Sequence, residues 1–128
     1  RVLTGGMRTG SVTAPTVMEA IPVSARLACE EVYGPVLGLY PYATLEEAVG
    51  RANDVDVGLH GAVFTENLRD AFYVAEHLEV GAVISNDSTD YRLDTMPMGG
   101  TKKSGVGREG VRFAAEEMTE TRVVCFNL

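Results

Sequence analysis

From residue 36 to residue 126 the chain alternates short apolar runs with helical stripes, and this order constrains the fold more than any single motif. Val36-Leu37-Gly38-Leu39-Tyr40 follows Gly34-Pro35 and reads as a buried strand. Thr44 stands where a helix N-cap is needed, and Glu47 three residues later completes a capping box. Leu45, Ala48, Val49 and Ala52 then form an amphipathic stripe that stops at Asn53-Asp54. Residues 59–65 read as a second strand centred on Ala62-Val63-Phe64. Asn67 caps a second helix with the stripe Leu68, Ala71, Phe72, Ala75 and Leu78. Gly81 falls just past its end, where glycine best accommodates a left-handed C-cap. Ala82-Val83-Ile84-Ser85 reads as a third strand. Val111, Ala114, Ala115 and Met118 mark a third helix, and residues 121–126 a closing strand. Residues 1–28 read as loop and short extended pieces, punctuated by Gly5-Gly6, Gly10, Pro15 and Pro22. Strand–helix alternation of this kind predicts an α/β fold: layered, with a mainly parallel sheet flanked by helices.

With 128 residues, 45% of them hydrophobic, the chain has enough material for one domain of ordinary size with a real core. A net charge of −7 argues against nucleic acid as a partner, because phosphate backbones require clustered Lys and Arg. No apolar run approaches a membrane span. The first residues lack the basic and apolar blocks of a signal peptide. Cys29 and Cys125 are far apart and form no CxxC or Cys/His cluster, so no metal site is expected and a reducing cytoplasm is the default.

Generic motifs yield little chemistry. Gly105-Val106-Gly107-Arg108-Glu109-Gly110 fits GxGxxG, but no strand precedes it and no acidic residue follows at the required distance. Its glycines are expected to serve tight turns. A reactive thiolate needs nearby positive charge or a base, and the neighbours of Cys29 are Glu30 and Glu31. Both cysteines therefore read as small hydrophobes. His60 and His77 are the only histidines, and His77 reads as a surface or boundary residue. The polar stretch 86–110 is unusually long for a loop without structure, and such loops are usually functional.

Five separated segments, taken together, resemble the aldehyde dehydrogenase superfamily over nearly the whole chain. They are Ala14-Pro15-Thr16-Val17; Glu30-Glu31-Val32-Tyr33-Gly34-Pro35-Val36; Ala52-Asn53-Asp54 with Gly58-Leu59 and Val63-Phe64-Thr65; Asn86 at a strand end; and Pro97-Met98-Gly99-Gly100-Thr101-Lys102-Lys103-Ser104-Gly105-Val106-Gly107-Arg108-Glu109. The resemblance implies oxidation of an aldehyde to a carboxylic acid with NAD or NADP. In that chemistry a cysteine attacks the carbonyl, hydride passes to the nicotinamide, and a glutamate activates the hydrolytic water. It places that cysteine, that glutamate and most of the cofactor domain upstream of Arg1. Residues 1–120 would be the C-terminal part of the catalytic domain, and 121–128 a terminal strand for contact in a homo-oligomer.

By position, the resemblance makes Glu31 the carboxylate that binds the nicotinamide ribose hydroxyls. Tyr33 stands where the family has a Phe packed near the nicotinamide. Taken bare, the same residues are a solvated Glu pair and a core aromatic at a strand start. Residues 87–96 match the substrate-facing loop, so Tyr91 and Arg92 are expected to line the path of a small aldehyde. Arg92 suggests an anionic substrate; the alternative is a pair with Asp90 or Asp94 that stiffens the loop. Met98 replaces a family Phe. The segment 102–109 is expected to be structural. The branch most resembled acts on lactaldehyde, glyceraldehyde 3-phosphate and semialdehydes. The rival reading is a non-enzymatic assembly or regulatory module that keeps the fold. A stand-alone nucleotide-binding protein rests on GxGxxG alone.

Overall fold

The structure, a computed structural model, describes residues 1–128. It divides the chain into two compact units, 1–48 and 49–128, where composition predicted one domain. Only Val49, Val74 and Ile84 are buried apolar side chains, so the expected core is small.

In the first unit, β1 (Val2–Thr4), β4 (Thr16–Glu19) and β5 (Val36–Leu39) form a sheet in the order β1-β4-β5, and β2 (Arg8–Thr9) pairs with β3 (Val12–Thr13) as a hairpin. β4 and β5 run parallel, with Thr16 opposite Val36 and Glu19 opposite Leu39. Thr16 anchors this sheet from a buried position. Its hydroxyl oxygen accepts from the Gly6 N–H at 2.9 Å, and its O–H donates to the Ala14 carbonyl at 2.8 Å. α1 (Arg26–Cys29) is a single turn between β4 and β5. The strand at 36–39 forms as predicted but is not buried: Val36 and Gly38 are half-covered, while Leu37 and Leu39 are exposed. A strand buries only the faces that other elements cover, and here every second side chain faces out.

α2 (Leu45–Asn53) links the two units. Thr44 and Glu47, the two residues of its predicted box, both bond at this helix start. The Glu47 N–H donates to the Thr44 hydroxyl at 3.2 Å, whereas the Glu47 carboxylate reaches back to the Ala43 N–H at 2.9 Å. In the second unit, β7 (His60–Val63) and β8 (Ala82–Ser85) are parallel and joined through α3 (Leu68–His77), a βαβ crossover. The Asn67 carboxamide oxygen accepts from the Arg69 N–H at 3.0 Å, which is the predicted cap. β6 (Val57–Gly58) pairs antiparallel with β9 (Thr101–Lys102), and α4 (Val111–Glu117) follows. The parallel pairs the alternation predicts are thus present, with one antiparallel strand, β1, added to β4–β5, and with two separate antiparallel pairs, β2–β3 and β6–β9.

Four details depart from expectation. The α3 stripe is only partly covered: Val74 is the buried residue, while Leu68 and Phe72 are 70% and 60% exposed. Gly81 is not a left-handed C-cap. The helix closes at Leu78, whose N–H reaches the Val74 carbonyl, and Gly81 has no positive φ. Residues 121–128 pair with no strand of this chain, and a strand exists only through its ladder partner. The stretch 86–110 is likewise not structureless, because β9 and a bridge between Met98 and Glu109 divide it. No helix is long and apolar enough to cross a membrane.

Candidate functional site

The first group of candidate residues lies on the turn after α1. Arg26 and Glu30 are spaced i, i+4, and the guanidinium grips the Glu30 carboxylate at 2.9–3.0 Å. That carboxylate raises the Arg26 guanidinium above its ordinary range. Glu31, one residue on, is exposed and has no hydrogen-bond or ion-pair partner within the chain. Tyr33 is 94% exposed. The expectation of a core aromatic at a strand start is therefore wrong for Tyr33: it precedes β5 and projects into solvent. Cys29 is also exposed, rather than a packed hydrophobe, and its thiol donates to the Val23 carbonyl at 2.9 Å. Cys125 is exposed as well.

The second group lies in the second unit, where the loop leaving β8 doubles back over the strand. Asn86 brackets the loop's base: Thr65 N–H donates to its carboxamide oxygen at 2.8 Å, and its amide donates to the Thr65 carbonyl at 2.9 Å. Asn86 needs a left-handed backbone, φ 59°, to do this, a conformation Asn tolerates better than most residues. Tyr91 and Arg92 line a narrow cleft with His60, Ile84, Met96 and Met98. The structure thus brings Tyr91 and Arg92 together, while Glu31 and Tyr33 belong to the other unit.

Arg92 pairs with neither Asp90 nor Asp94. Its guanidinium touches the Met98 sulfur at 2.7 Å and lies 3.7 Å from the Glu109 carboxylate. Local sequence could not show this, because the partner arrives through the Met98–Glu109 bridge. An exposed pair of that length contributes little and leaves most of the guanidinium's donors open. The glycines of the GxGxxG stretch, Gly105, Gly107 and Gly110, all have positive φ, the backbone that tight turns need.

Asn53, at the end of α2, proves to be a structural junction. Its side-chain amide donates to the His77 carbonyl at 2.8 Å, and its oxygen accepts from the Glu79 N–H at 2.8 Å. Lys102 caps the same helix end, donating to the Asn53 carbonyl at 2.6 Å and the Val55 carbonyl at 3.0 Å while pairing with Glu79 at 2.6 Å. Beside it, Lys103 holds the Asp56 carboxyl below its usual range. Asn53→Ala strips partners from two backbone groups, so a loss of about 1–3 kcal/mol is expected. A urea titration of the protein that carries this chain checks it; an unmoved midpoint would show that the junction contributes nothing.

Parallel β-pairs and a βαβ crossover define an α/β fold. The family model for the aldehyde dehydrogenase family matches residues 1–124, and the chain belongs to that family. It is 50% identical over 126 residues to an aldehyde-dehydrogenase-like protein of Sinorhizobium fredii, covering 98% of this chain and 25% of the relative. Among solved structures, it is similar to aldehyde dehydrogenase 21 from Physcomitrella patens in complex with the reaction product succinate. That match has TM-score 0.93 and 48% identity, over 97% of this chain and 26% of the other. It is also similar to glyceraldehyde-3-phosphate dehydrogenase GapN from Methanocaldococcus jannaschii complexed with NADP, with TM-score 0.85 and 42% identity, over 92% of this chain and 25% of that one. The chain spans about a quarter of the length of the relatives it matches.

Proposed function

We propose that residues 1–120 form the C-terminal part of the catalytic domain of an NAD(P)-dependent aldehyde dehydrogenase, which oxidises a small aldehyde to a carboxylic acid. The contrast between two adjacent carboxylates carries this reading. Glu30 is engaged by Arg26, whereas Glu31 keeps both oxygens free beside an exposed aromatic ring. A free carboxylate can accept two hydrogen bonds from the vicinal hydroxyls of a ribose. Tyr33 offers a flat face next to it. These residues fit NAD or NADP, and the nicotinamide, when bound, supplies the hydride acceptor.

The role of this chain is positioning. Cys29 has acidic sequence neighbours, and its thiol donates to a backbone carbonyl. Following the family resemblance, the thiol that attacks the aldehyde is assigned to another part of the protein. Residues 121–128 leave Val123, Val124, Phe126 and Leu128 exposed and unpaired, which suits strand addition in a homo-oligomer. Two free thiols suit a reducing cytoplasm.

On the substrate side, Arg92 has donors to spare for an anionic group, carboxylate or phosphate. Two of the relatives point the same way: one was solved with succinate, and another is named for a phosphorylated aldehyde. Aldehyde-dependent reduction of NAD or NADP by the protein that carries this chain is the first test. No reduction of either cofactor across neutral and anionic aldehydes would overturn the enzyme reading in favour of an assembly module. Arg92→Ala is expected to raise KM for anionic aldehydes about tenfold or more while sparing neutral ones. Equal losses on both would reject the anion site.

A further inference from the structure

We infer that His60 is a positioning residue for the substrate-facing loop, holding Tyr91 and Arg92 in place through the Thr89 carbonyl. The inference rests on the assignment of that loop to the substrate. The His60 Nδ1 lies 2.9 Å from the Thr89 oxygen. A carbonyl only accepts, so Nδ1 must carry the proton and donate. The donor is fixed on a rigid element, because the His60 backbone sits in the β7–β8 ladder opposite Ala82. The acceptor is not fixed in this way: Thr89 lies between the bracket at Asn86 and the bridge at Met98.

The other bonds of this stretch do different work. Tyr91 N–H to Ser88 and Met96 N–H to Leu93 are internal to the loop and shape it without seating it on the sheet. Arg92 contacts Met98 and Glu109, at the far end. His60 is thus the side chain that ties the near half of the loop to a strand. Thr89 precedes Tyr91 by two residues, so movement of its carbonyl carries both candidate substrate residues with it. His60 also lines the cleft they line. It acts through the loop and is not a catalytic residue.

The test uses three variants of the intact protein, read by amide hydrogen exchange over residues 88–93 and by steady-state kinetics. His60→Asn keeps an N–H donor at about the reach of Nδ1; His60→Phe fills the space without one; His60→Ala does neither. Loss of one tethering bond is expected to speed exchange about three- to tenfold and to raise the aldehyde KM by a similar factor, with kcat and the cofactor KM nearly unchanged. His60→Asn should recover both readouts, and His60→Phe neither. Unchanged exchange in both Ala and Phe variants overturns the tether. Recovery by Phe as good as by Asn reduces His60 to packing. Faster exchange with an unmoved aldehyde KM removes its substrate role. If the unmodified protein reduces no cofactor with any aldehyde, the enzyme reading fails and the substrate half falls with it, while exchange still decides the tether.

Discussion

Gly81→Ala is expected to be strongly destabilising, costing about 3 kcal/mol or more. The reason is steric and not conformational. A Cβ built on Gly81 would overlap the Gly99 carbonyl oxygen and crowd the Gly100 Cα. All of these are backbone atoms, which cannot step aside as a side-chain tip can. Gly81 is pinned from its own side too, since its N–H donates to the Leu59 carbonyl at 2.9 Å just before β8 begins. Relief therefore requires moving the backbone at 99–100, and that segment leads directly into β9. β9 in turn holds Gly58 through Thr101, whose hydroxyl donates to the Gly58 and Glu79 carbonyls at 3.2 and 2.8 Å. A methyl on Gly81 is thus opposed by the whole β6–β9 junction. By contrast, Gly50 sits on α2 with nothing near its missing Cβ, and Gly50→Ala should be neutral or stabilising. Thermal unfolding of the two variants side by side checks the claim. Equal midpoints would mean that the close approach at Gly81 does not exist in solution.

That glycine shows what the sequence could and could not reveal. Its position after a helix suggested a local reason, a left-handed cap, because local patterns are all that a single chain displays. The actual reason is a non-local backbone contact. The same division runs through the fold. The strand at Val36–Leu39, the helix at Leu45–Asn53 with Thr44 and Glu47, the Asn67 cap and the strand at Ala82–Ser85 were all legible, because periodicity and capping are local. The pairing of β4 with β5 and of β6 with β9 was not, since register is set by partners distant in sequence. Periodicity also marked an apolar face on α3 without showing what covers it, and Leu68 and Phe72 prove exposed. In the candidate site the residue types were legible: an acid, an aromatic and a guanidinium. Their partners were not. Arg92 finds Glu109 across a bridge, and His60 finds Thr89 across a loop that folds back on its strand.

Glu31→Gln is the corresponding prediction for chemistry, and its expected effect is a fall of about ten- to a hundredfold in kcat/KM for NAD or NADP. The substitution is nearly isosteric. It removes the charge and turns one acceptor into a donor, so a ribose diol loses one of two charge-assisted bonds. Orientation of the nicotinamide would suffer most, and orientation accounts for a large share of the barrier in such transfers. The fold should not notice, because Glu31 is exposed and partners nothing in this chain. Glu30→Gln supplies the control within one residue. It weakens the Arg26 contact at an exposed surface, where such pairs contribute little, and should leave the kinetics nearly unchanged. The two variants together separate a specific role from the general effect of removing negative charge there. If Glu30→Gln lowers kcat/KM as much as Glu31→Gln does, the loss is a matter of local charge and the assignment to the ribose is wrong. If neither variant changes cofactor affinity or rate, this turn takes no part in binding NAD or NADP.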